Sequence, residues 1–373
     1  MTADALSPAM ARDPVAAQPA DATYVGYLDL LRGVAILLIV MLHAGNAFLL
    51  QGVGALTPSS TAALAINHIL FHDSTLYFSI ISGVLYGHLF WRRAHWPFFR
   101  ARLLNIGSPY VVVSFVLTAI AWALAVRRGD EATGLTAFAR ELGFNIATGD
   151  AWNTLWYIPV ILGLYAISPL LSRLARSRRW RWAVVAIILL PLLISRTGTV
   201  LTPSIFVYFG GAYMFGLVLG IQLDRSLDLL TRCMPWLCGV ALLATAALAM
   251  LHIAGIDRIG FTSLRETFFY IQRLGIASML LVALRAWSGR PASVWRSMLA
   301  VAASASFGIY FVHGPILRPI ARLVGGMVPP DQPWWALLAG VVATFLAGFA
   351  LSLAIIALVR RALGKRSRLV IGS

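Results

Sequence analysis

One apolar segment near the start of the chain carries an arginine and a histidine that are spaced to act together. Arg32 and His43 are separated by ten residues that are all apolar or glycine. At about 100° per residue, eleven helical steps return to nearly the same face, about 16 Å farther along the axis. Titratable side chains inside a membrane span are costly and mark substrate paths or proton-transfer sites by default. Two structural alternatives stay open: Arg32 reaching lipid headgroups, and His43 bonding a neighbouring helix.

Polar residues in later apolar runs could meet this pair inside a helical bundle. They fall in the runs around residues 62–90, 266–287 and 299–323: His68, His72, Asp73, Ser79, Ser82, Glu266, Arg273 and His313. Because lipid offers no hydrogen-bond partners, such side chains are expected to face one another or water. Their number predicts a polar cavity enclosed by the helices.

The composition indicates what must position these side chains. The 373 residues are 60% hydrophobic and only 12% charged, with a mean hydropathy of +0.81, whereas soluble domains are about 25% charged. The predicted fold class is therefore all-α, a polytopic membrane bundle with a polar interior. A spanning helix needs about 20 mostly apolar residues. About ten runs meet this description, the fifth being short: 27–50, 62–90, 104–126, 153–172, 183–195, 205–222, 234–254, 266–287, 299–323 and 335–359.

The basic residues predict how this bundle is oriented. Lys plus Arg number 30 against 14 Asp plus Glu, for a net charge of +16. They cluster in short loops between apolar runs, a pattern that disfavours nucleic-acid binding. Loops 91–102 and 173–181 and the segment from Arg360 onward are especially rich in them. Cytoplasmic loops are enriched in Lys and Arg, and an even span count puts both ends on one side, so both termini are predicted to be cytoplasmic.

Three regions are expected along the chain. Residues 1–23, rich in Ala, Pro and Asp, are predicted to form a disordered cytoplasmic arm. Residues 24–361 form the transmembrane domain, and residues 362–373 form a basic cytoplasmic tail. The scattered His and Asp residues have no compact metal-ligand spacing, so no metal is predicted.

Five short motifs follow one another between residue 27 and about residue 359. They are the Arg32 and His43 helix, Leu76-Tyr-Phe-Ser-Ile-Ile-Ser-Gly83, the basic segment from Phe98 to Pro109-Tyr110, Thr154-Leu-Trp156-Tyr-Ile, and Phe307-Gly-Ile-Tyr310-Phe-Val-His313-Gly-Pro315. Together they resemble the signature elements of the membrane acyltransferase 3 family. One departure is Asn105, which stands where the basic segment often has a second arginine, four residues before the proline.

The resemblance implies a membrane O-acyltransferase. Such an enzyme moves an acyl group, most often acetyl from acetyl-CoA, onto a hydroxyl of an exopolysaccharide, a lipid-linked glycan or another cell-surface carbohydrate. It implies that Arg32, Arg100 and Arg102 bind the phosphates of the donor, with Asp29 fixing the Arg32 guanidinium. His43 would act as general base, and the sequence leaves direct transfer and an acyl-histidine intermediate both open. The implied location is the bacterial cytoplasmic membrane.

Three further residues are assigned roles by the same resemblance. Asp73 is the candidate to orient the His43 imidazole, as a carboxylate does in hydrolases, the alternative being a pairing with a basic or amide group. Trp156 and His313 are the candidates for binding the acceptor. The alternative for Trp156 is an anchor at the membrane surface, and the alternative for His313 is support of the cavity.

Two other functions also fit a bundle with polar-lined spans. A secondary transporter or flippase would require helices broken by Gly or Pro in related halves of the chain, and no such repeat is found in the sequence. A catalytically silent sensor or assembly partner would tolerate replacement of His43. The expected partners are acyl-CoA, the acceptor and membrane lipid, and the sequence predicts no oligomeric state.

Overall fold

The protein is a helical bundle with one short pair of strands. The computed structural model describes residues 26–54, 57–129, 134–196, 198, 201–260, 262–291, 293–329 and 331–372, so the predicted arm at residues 1–23 lies outside them. Within these ranges the α-helices are α1 Gly26–Ala47, α2 Pro58–Phe71, α3 Leu76–Leu85, α4 His95–Arg102, α5 Ser108–Arg128, α6 Leu135–Thr148, α7 Tyr157–Arg176, α8 Arg181–Leu189, α9 Pro203–Ile221, α10 Leu223–Arg232, α11 Met234–Ala254, α12 Leu264–Ser288, α13 Val294–Ser304, α14 Ser306–Gly325, α15 Trp334–Leu363 and α16 Ser367–Ile371.

Short irregular helices and one hairpin join these elements. Phe48–Gly52, Tyr86–Phe90 and Leu103–Gly107 are π-helical extensions of α1, α3 and α4. Single 3₁₀ turns are formed at Arg178–Trp180, Leu190–Leu192 and Gly364–Arg366. The strands β1 (Arg258–Ile259) and β2 (Thr262–Ser263) pair antiparallel, with Arg258 opposite Ser263.

Most of the predicted spans are confirmed. In the described part of the chain, eight helices are long and apolar enough to cross a membrane, or nine if α13 and α14, which meet at 77°, count as one broken span. The remaining prediction, residues 183–195, falls on α8 and the 3₁₀ turn after it, which are too short to meet that length. The prediction of about ten spans is therefore one or two above the number of full-length helices.

Contacts at its two ends nevertheless show that the short α8 segment traverses the bundle. Before α8, Arg176 donates to the carbonyl of Gly87, in the extension of α3. After α8, Arg196 pairs with Asp73, just before the start of α3. The chain thus travels from one end of α3 to the other between residues 176 and 196. Hydrogen bonding of Tyr270 to the carbonyl of Ile188 holds this segment against α12.

The two ends of the described chain lie at the same end of the bundle. Gly33, near the start of α1, packs against the backbone of Leu299 and Ala303 in α13. Arg360, near the end of α15, donates to the carbonyl of Ser304, the next residue along. An even number of passages between the two ends is therefore required. The eight full-length helices, α14 and the short α8 segment together supply ten.

Helices α3 and α9 pack closely together, and their packing depends on glycine. An added Cβ at Gly83 or Gly87 would collide with carbonyl oxygens of α9, and one at Gly216 or Gly220 would collide with carbonyl oxygens of α3. Each helix thus offers two glycines four residues apart, on one face. Small residues in this arrangement let backbones approach closely, which drives helix association in lipid.

The basic tail is a folded element. Gly364 has a φ of 54°, a left-handed conformation that favours glycine, and it turns the chain back after α15. The carbonyl of Leu369 accepts a hydrogen bond from Ser108 at the start of α5, and Ile371 is buried. The tail therefore closes part of the end of the bundle where Arg360 lies.

We expect Gly216→Val to destabilise the bundle, because the new side chain would have to enter the backbone of α3. Overpacking of this kind costs about 1–3 kcal/mol. Thermal unfolding in detergent, followed by tryptophan fluorescence, measures the loss. The matched control is Gly239→Ala in α11, where an added Cβ meets nothing within 4 Å. Equal midpoints for the two variants would contradict the role of the glycine contact.

Candidate active site

A polar cavity of about 200 Å³ lies at the end of α1 opposite to Arg32. Helix α1 contributes His43 and Asn46 to its wall, and α14 contributes Tyr310 and Arg318. The other walls are the break between α2 and α3, the segment before α7 and the loop after α8. This cavity confirms the polar interior that the sequence predicts.

A second imidazole lies directly behind His43. The ring centroids of His43 and His313 are 5.2 Å apart, with the rings tilted by 46°. His313 is fully buried, and its Nδ1 lies 2.9 Å from the carbonyl oxygen of Ile309. A carbonyl only accepts, so Nδ1 carries the hydrogen and Nε2 is left as an acceptor. That Nε2 has no hydrogen-bond partner among the described residues.

The wall facing His43 is formed by a strained break between α2 and α3. Asp73 has a φ of 59°, which is unfavourable for a residue other than glycine. Arg273, on α12, stabilises the break from the side by donating to the carbonyl of His72 at 2.6 Å and to that of Ile69 at 3.3 Å. These carbonyls belong to the end of α2, where backbone carbonyls have no hydrogen-bond donor within the helix. The break therefore keeps its shape because a buried guanidinium binds it.

Arg196 holds the same break from the loop after α8. Its Nη2 lies 2.6 Å from Asp73 Oδ1, and its Nε lies 3.0 Å from Glu266 Oε2. The remaining oxygen of Asp73 accepts from the Tyr208 hydroxyl at 2.7 Å. Arg196 and Asp73 are 8% and 4% exposed, so their pairing is largely shielded from water. Burial lowers the pKa of the Arg196 guanidinium, but the two carboxylates outweigh this and raise its pKa above the ordinary value.

This cluster has the compactness of a metal site but contains its own cation. The ligand atoms of His72, Asp73 and Glu266 all lie within 4.8 Å of one another. The Arg196 guanidinium contacts all three, including His72 Nε2 at 2.9 Å. The same His72 Nε2 lies 3.3 Å from Glu266 Oε1. The positive charge that two carboxylates require is thus supplied by the chain.

Asp73 and His43 border one cavity without being joined. Both line it, but the carboxylate of Asp73 is held by Arg196 and Tyr208, and no hydrogen bond connects it to His43 in the described part of the chain. The geometry matches the alternative named for Asp73, a pairing with a basic group. The side chain that lies beside His43 is the imidazole of His313 and not the carboxylate of Asp73.

Glu266 and Arg273 lie seven residues apart on one face of α12, and both bind parts of the α2–α3 break or its partner Arg196. Glu266 pairs with Arg196, and Arg273 binds backbone carbonyls of the break. Each of these two residues thus binds a different part of the break.

The segment before α7 forms the third wall of the cavity. Trp156 lines it and is buried. Its ring contacts Phe209 and the Arg196 guanidinium, whose Cζ is 5.5 Å from the ring centroid. The Tyr310 hydroxyl donates to the carbonyl of Thr154, and the Thr154 hydroxyl is buried without a partner among the described residues. Trp156 therefore lies in the bundle interior and not at its surface.

The three arginines that the resemblance assigns to the donor lie at the other end of the bundle, and they are not grouped. Arg32 pairs with Asp29 at 2.8 Å, which confirms that expected contact. Arg102 stacks on the rings of Phe98 and Tyr165, at 5.1 and 5.6 Å from their centroids. Arg100 is exposed. None of the three lines the His43 cavity.

A narrow aromatic cavity separates that end from His43. Its volume is about 20 Å³, and Phe307 and Tyr310 of α14 form one side of it. Tyr157 and Tyr165 of α7 form the other side, with their hydroxyls bonded to Ser79 and Ser82 at 2.9 and 2.8 Å. At the level of these rings, the described residues therefore leave only this narrow space.

The residues that sequence reasoning missed are those whose partners are far away along the chain. From the sequence, Arg196 is only one basic residue of an outer loop. In the structure it pairs with Asp73, which lies more than a hundred residues earlier in the chain. Asn46 accepts from His68 at 2.9 Å and also lines the cavity. The available signal was the position of Asn46 three residues after His43, which places both on one helical face.

Comparison with known proteins assigns a domain to this architecture. A family model described as an acyltransferase domain matches residues 25–353. No curated protein and no solved structure matches the chain.

Replacement of Arg196 by alanine is expected to destabilise the protein strongly, since Asp73 and Glu266 would be left buried without their cation. Breaking a buried ion pair in this way costs about 3–5 kcal/mol. The control is Arg258→Ala, which removes a pairing with Asp257 that is about half exposed and is worth at most about 1 kcal/mol. Thermal unfolding of both variants in detergent provides the comparison, and a similar midpoint for Arg196→Ala and Arg258→Ala would refute the structural role of the cluster.

Proposed function

The chain belongs to the acyltransferase 3 family, and from this premise we propose that it transfers an acetyl or other acyl group from acyl-CoA to a hydroxyl of a carbohydrate. The acceptor class proposed is an exopolysaccharide, a lipid-linked glycan or another cell-surface carbohydrate. The observation that carries the proposal is the imidazole of His43 at the edge of a polar cavity, with His313 behind it.

We place the protein in the bacterial cytoplasmic membrane with both termini cytoplasmic. Two observations support this orientation. Both ends of the described chain lie at one end of the bundle, and that end carries the arginine-rich loops around residues 91–102 and 173–181. Acyl-CoA, a polyanion, would approach from this side, where Arg32, Arg100 and Arg102 lie. The His43 cavity is near the opposite end, where an extracytoplasmic acceptor would arrive.

The proposed reaction is acyl transfer assisted by a general base. The acceptor hydroxyl loses its proton to the free nitrogen of His43 as its oxygen attacks the thioester carbonyl. The new carbon–oxygen bond forms, the carbon–sulfur bond breaks, and the thiolate leaves with the electron pair. Proton return from the imidazolium to the thiolate completes the cycle. An acyl-histidine intermediate would use the same cavity, with the imidazole attacking first.

His313 is proposed to position His43. Its Nε2, which lacks a partner among the described residues, can accept a hydrogen bond from one nitrogen of His43 and so leave the other nitrogen unprotonated toward the cavity. The same contact would favour the imidazolium that forms during transfer. This is the role that a carboxylate has in hydrolases, here served by a neutral imidazole whose own tautomer is fixed by the Ile309 carbonyl.

The acceptor is proposed to bind among the polar groups opposite His43. Asn46, the unpartnered hydroxyl of Thr154 and Arg318 offer hydrogen bonds to sugar hydroxyls. Trp156 supplies an aromatic wall whose other contacts are Phe209 and Arg196.

Replacing His43 by glutamine should abolish acyl transfer and leave CoA binding intact. General bases contribute about 10²–10⁴-fold to the rate, so kcat is expected to fall by that factor. Purified protein in liposomes with radiolabelled acetyl-CoA and candidate glycans provides the assay, and titration with CoA provides the binding check. His88→Gln, at the opposite end of the bundle, is the control. Undiminished transfer by the His43 variant removes this residue from the mechanism.

Two variants of His313 separate positioning from packing. His313→Ala should lower kcat at unchanged KM for acetyl-CoA, because His43 loses the group that fixes its tautomer. His313→Gln should restore part of the rate, since its side chain can accept a hydrogen bond near the former Nε2. A loss of kcat that glutamine does not rescue, or a change confined to KM, contradicts the positioning role.

A further inference from the structure

A second large cavity lies beneath the folded tail, at the arginine-rich end of the bundle. Its volume is about 870 Å³, which is within the range of small-molecule sites. We name it the tail cavity and define it by Asn105, Ser304, Phe307, Arg360, Lys365 and Arg368, which are among its lining residues. It exists because the turn at Gly364 folds α16 back against α5 and α14.

The tail cavity is strongly basic. Arg360, Lys365 and Arg368 all line it. Among the described residues, none of these three cations forms a salt bridge with a carboxylate, and Arg360 donates a hydrogen bond to the carbonyl of Ser304. Three cations around one concavity, with no counter-charge in the part of the chain that the structure describes, favour a polyanionic ligand. These residues lie beyond the part of the chain that the acyltransferase domain matches, which ends at residue 353.

One face of α14 connects the tail cavity to His43. Phe307 lines both the tail cavity and the narrow aromatic cavity. Tyr310 lines both the narrow cavity and the His43 cavity, and Gly314 lies in the latter. These positions are three and four residues apart, so they follow one helical face over about 10 Å. A ligand anchored in the tail cavity could therefore extend a thin arm along α14 to the imidazole.

Two other cavities at this end are also basic but lack that connection. One is lined by Arg93, Arg173 and Arg176, and the other by Arg93 and Arg102. Neither shares a lining residue with the narrow aromatic cavity. Continuity therefore favours the tail cavity over these two.

We propose that the tail cavity binds the phosphates of acyl-CoA through Arg360, Lys365 and Arg368, with the thioester arm running past Phe307 and Tyr310 to His43. The inference rests on the proposed function, because it requires an acyl-CoA donor. It places the nucleotide end of the donor under the tail, apart from Arg100 and Arg102. The two rings must turn aside for the arm to pass, so donor binding opens the narrow cavity.

The test compares two double variants that remove the same charge. Lys365→Ala with Arg368→Ala removes cations that line the tail cavity, whereas Arg361→Ala with Arg366→Ala removes neighbouring exposed cations that do not. The purified full-length protein is titrated calorimetrically with CoA and with pantetheine, which has the arm but no phosphates. We expect the first double variant to bind CoA at least about tenfold more weakly, as for two lost bonds to a charged group. Its affinity for pantetheine and the CoA affinity of the control should be unchanged.

Each alternative result has a defined meaning. Equal CoA affinity in the two double variants overturns the site but leaves the enzyme assignment standing. The same conclusion follows if Arg93→Ala lowers the CoA affinity more than the first double variant does. Failure of the unaltered protein to bind CoA at all overturns the donor assignment and this site together. The tail cavity could also take the phosphate of an anionic lipid, so the CoA titration is repeated in phosphatidylcholine nanodiscs with and without phosphatidylglycerol, and the phosphatidylglycerol that stays bound to each purified variant is measured. If the first double variant retains less phosphatidylglycerol but binds CoA with unchanged affinity, the cavity is a lipid site and the proposal is overturned.

Discussion

The cavity beside His43 depends on one buried arginine. Arg196 binds Asp73 and Glu266 at once, and these carboxylates belong to the α2–α3 break and to α12. Taking ions out of water is expensive, and the expense is offset only when each charge is paired and hydrogen-bonded. Because each charge is paired, three separate segments are fixed around the cavity. The strained backbone of Asp73 is held by the same contacts.

The sequence predicts most of the spans and the polar interior of the bundle. Apolar length identifies a spanning helix without knowledge of its partners, and helical geometry places Arg32 and His43 on one face at fixed separation. The segment at residues 183–195 was harder to assign, because it crosses the bundle in fewer residues than a lipid-facing helix needs. Packing against α9 and α12 compensates for its length, and packing is not visible in a hydropathy pattern.

The partners of the buried charges could not be read from the sequence. Asp73, Arg196 and Glu266 are far apart along the chain, and only the tertiary fold decides that Asp73 meets Arg196 and that His43 meets His313. The same holds for the tail, whose basic residues predict a cytoplasmic location but not the turn at Gly364 that brings them over α14. Local sequence patterns determine which face of a helix a residue occupies. Which side chains pair across the bundle depends on which helices are neighbours in the fold.

The aromatic closure between the two ends has a consequence for the membrane as an electrical barrier. Phe307, Tyr310, Tyr157 and Tyr165 leave only about 20 Å³ between them, and the tyrosine hydroxyls at this level are bonded to serines and to a backbone carbonyl. A standing column of water through the bundle would conduct protons and drain the gradient across the membrane. The packed rings leave no room for such a column at this level. In the donor complex proposed above, the thin arm that replaces them would fill the gap with equally non-conducting material.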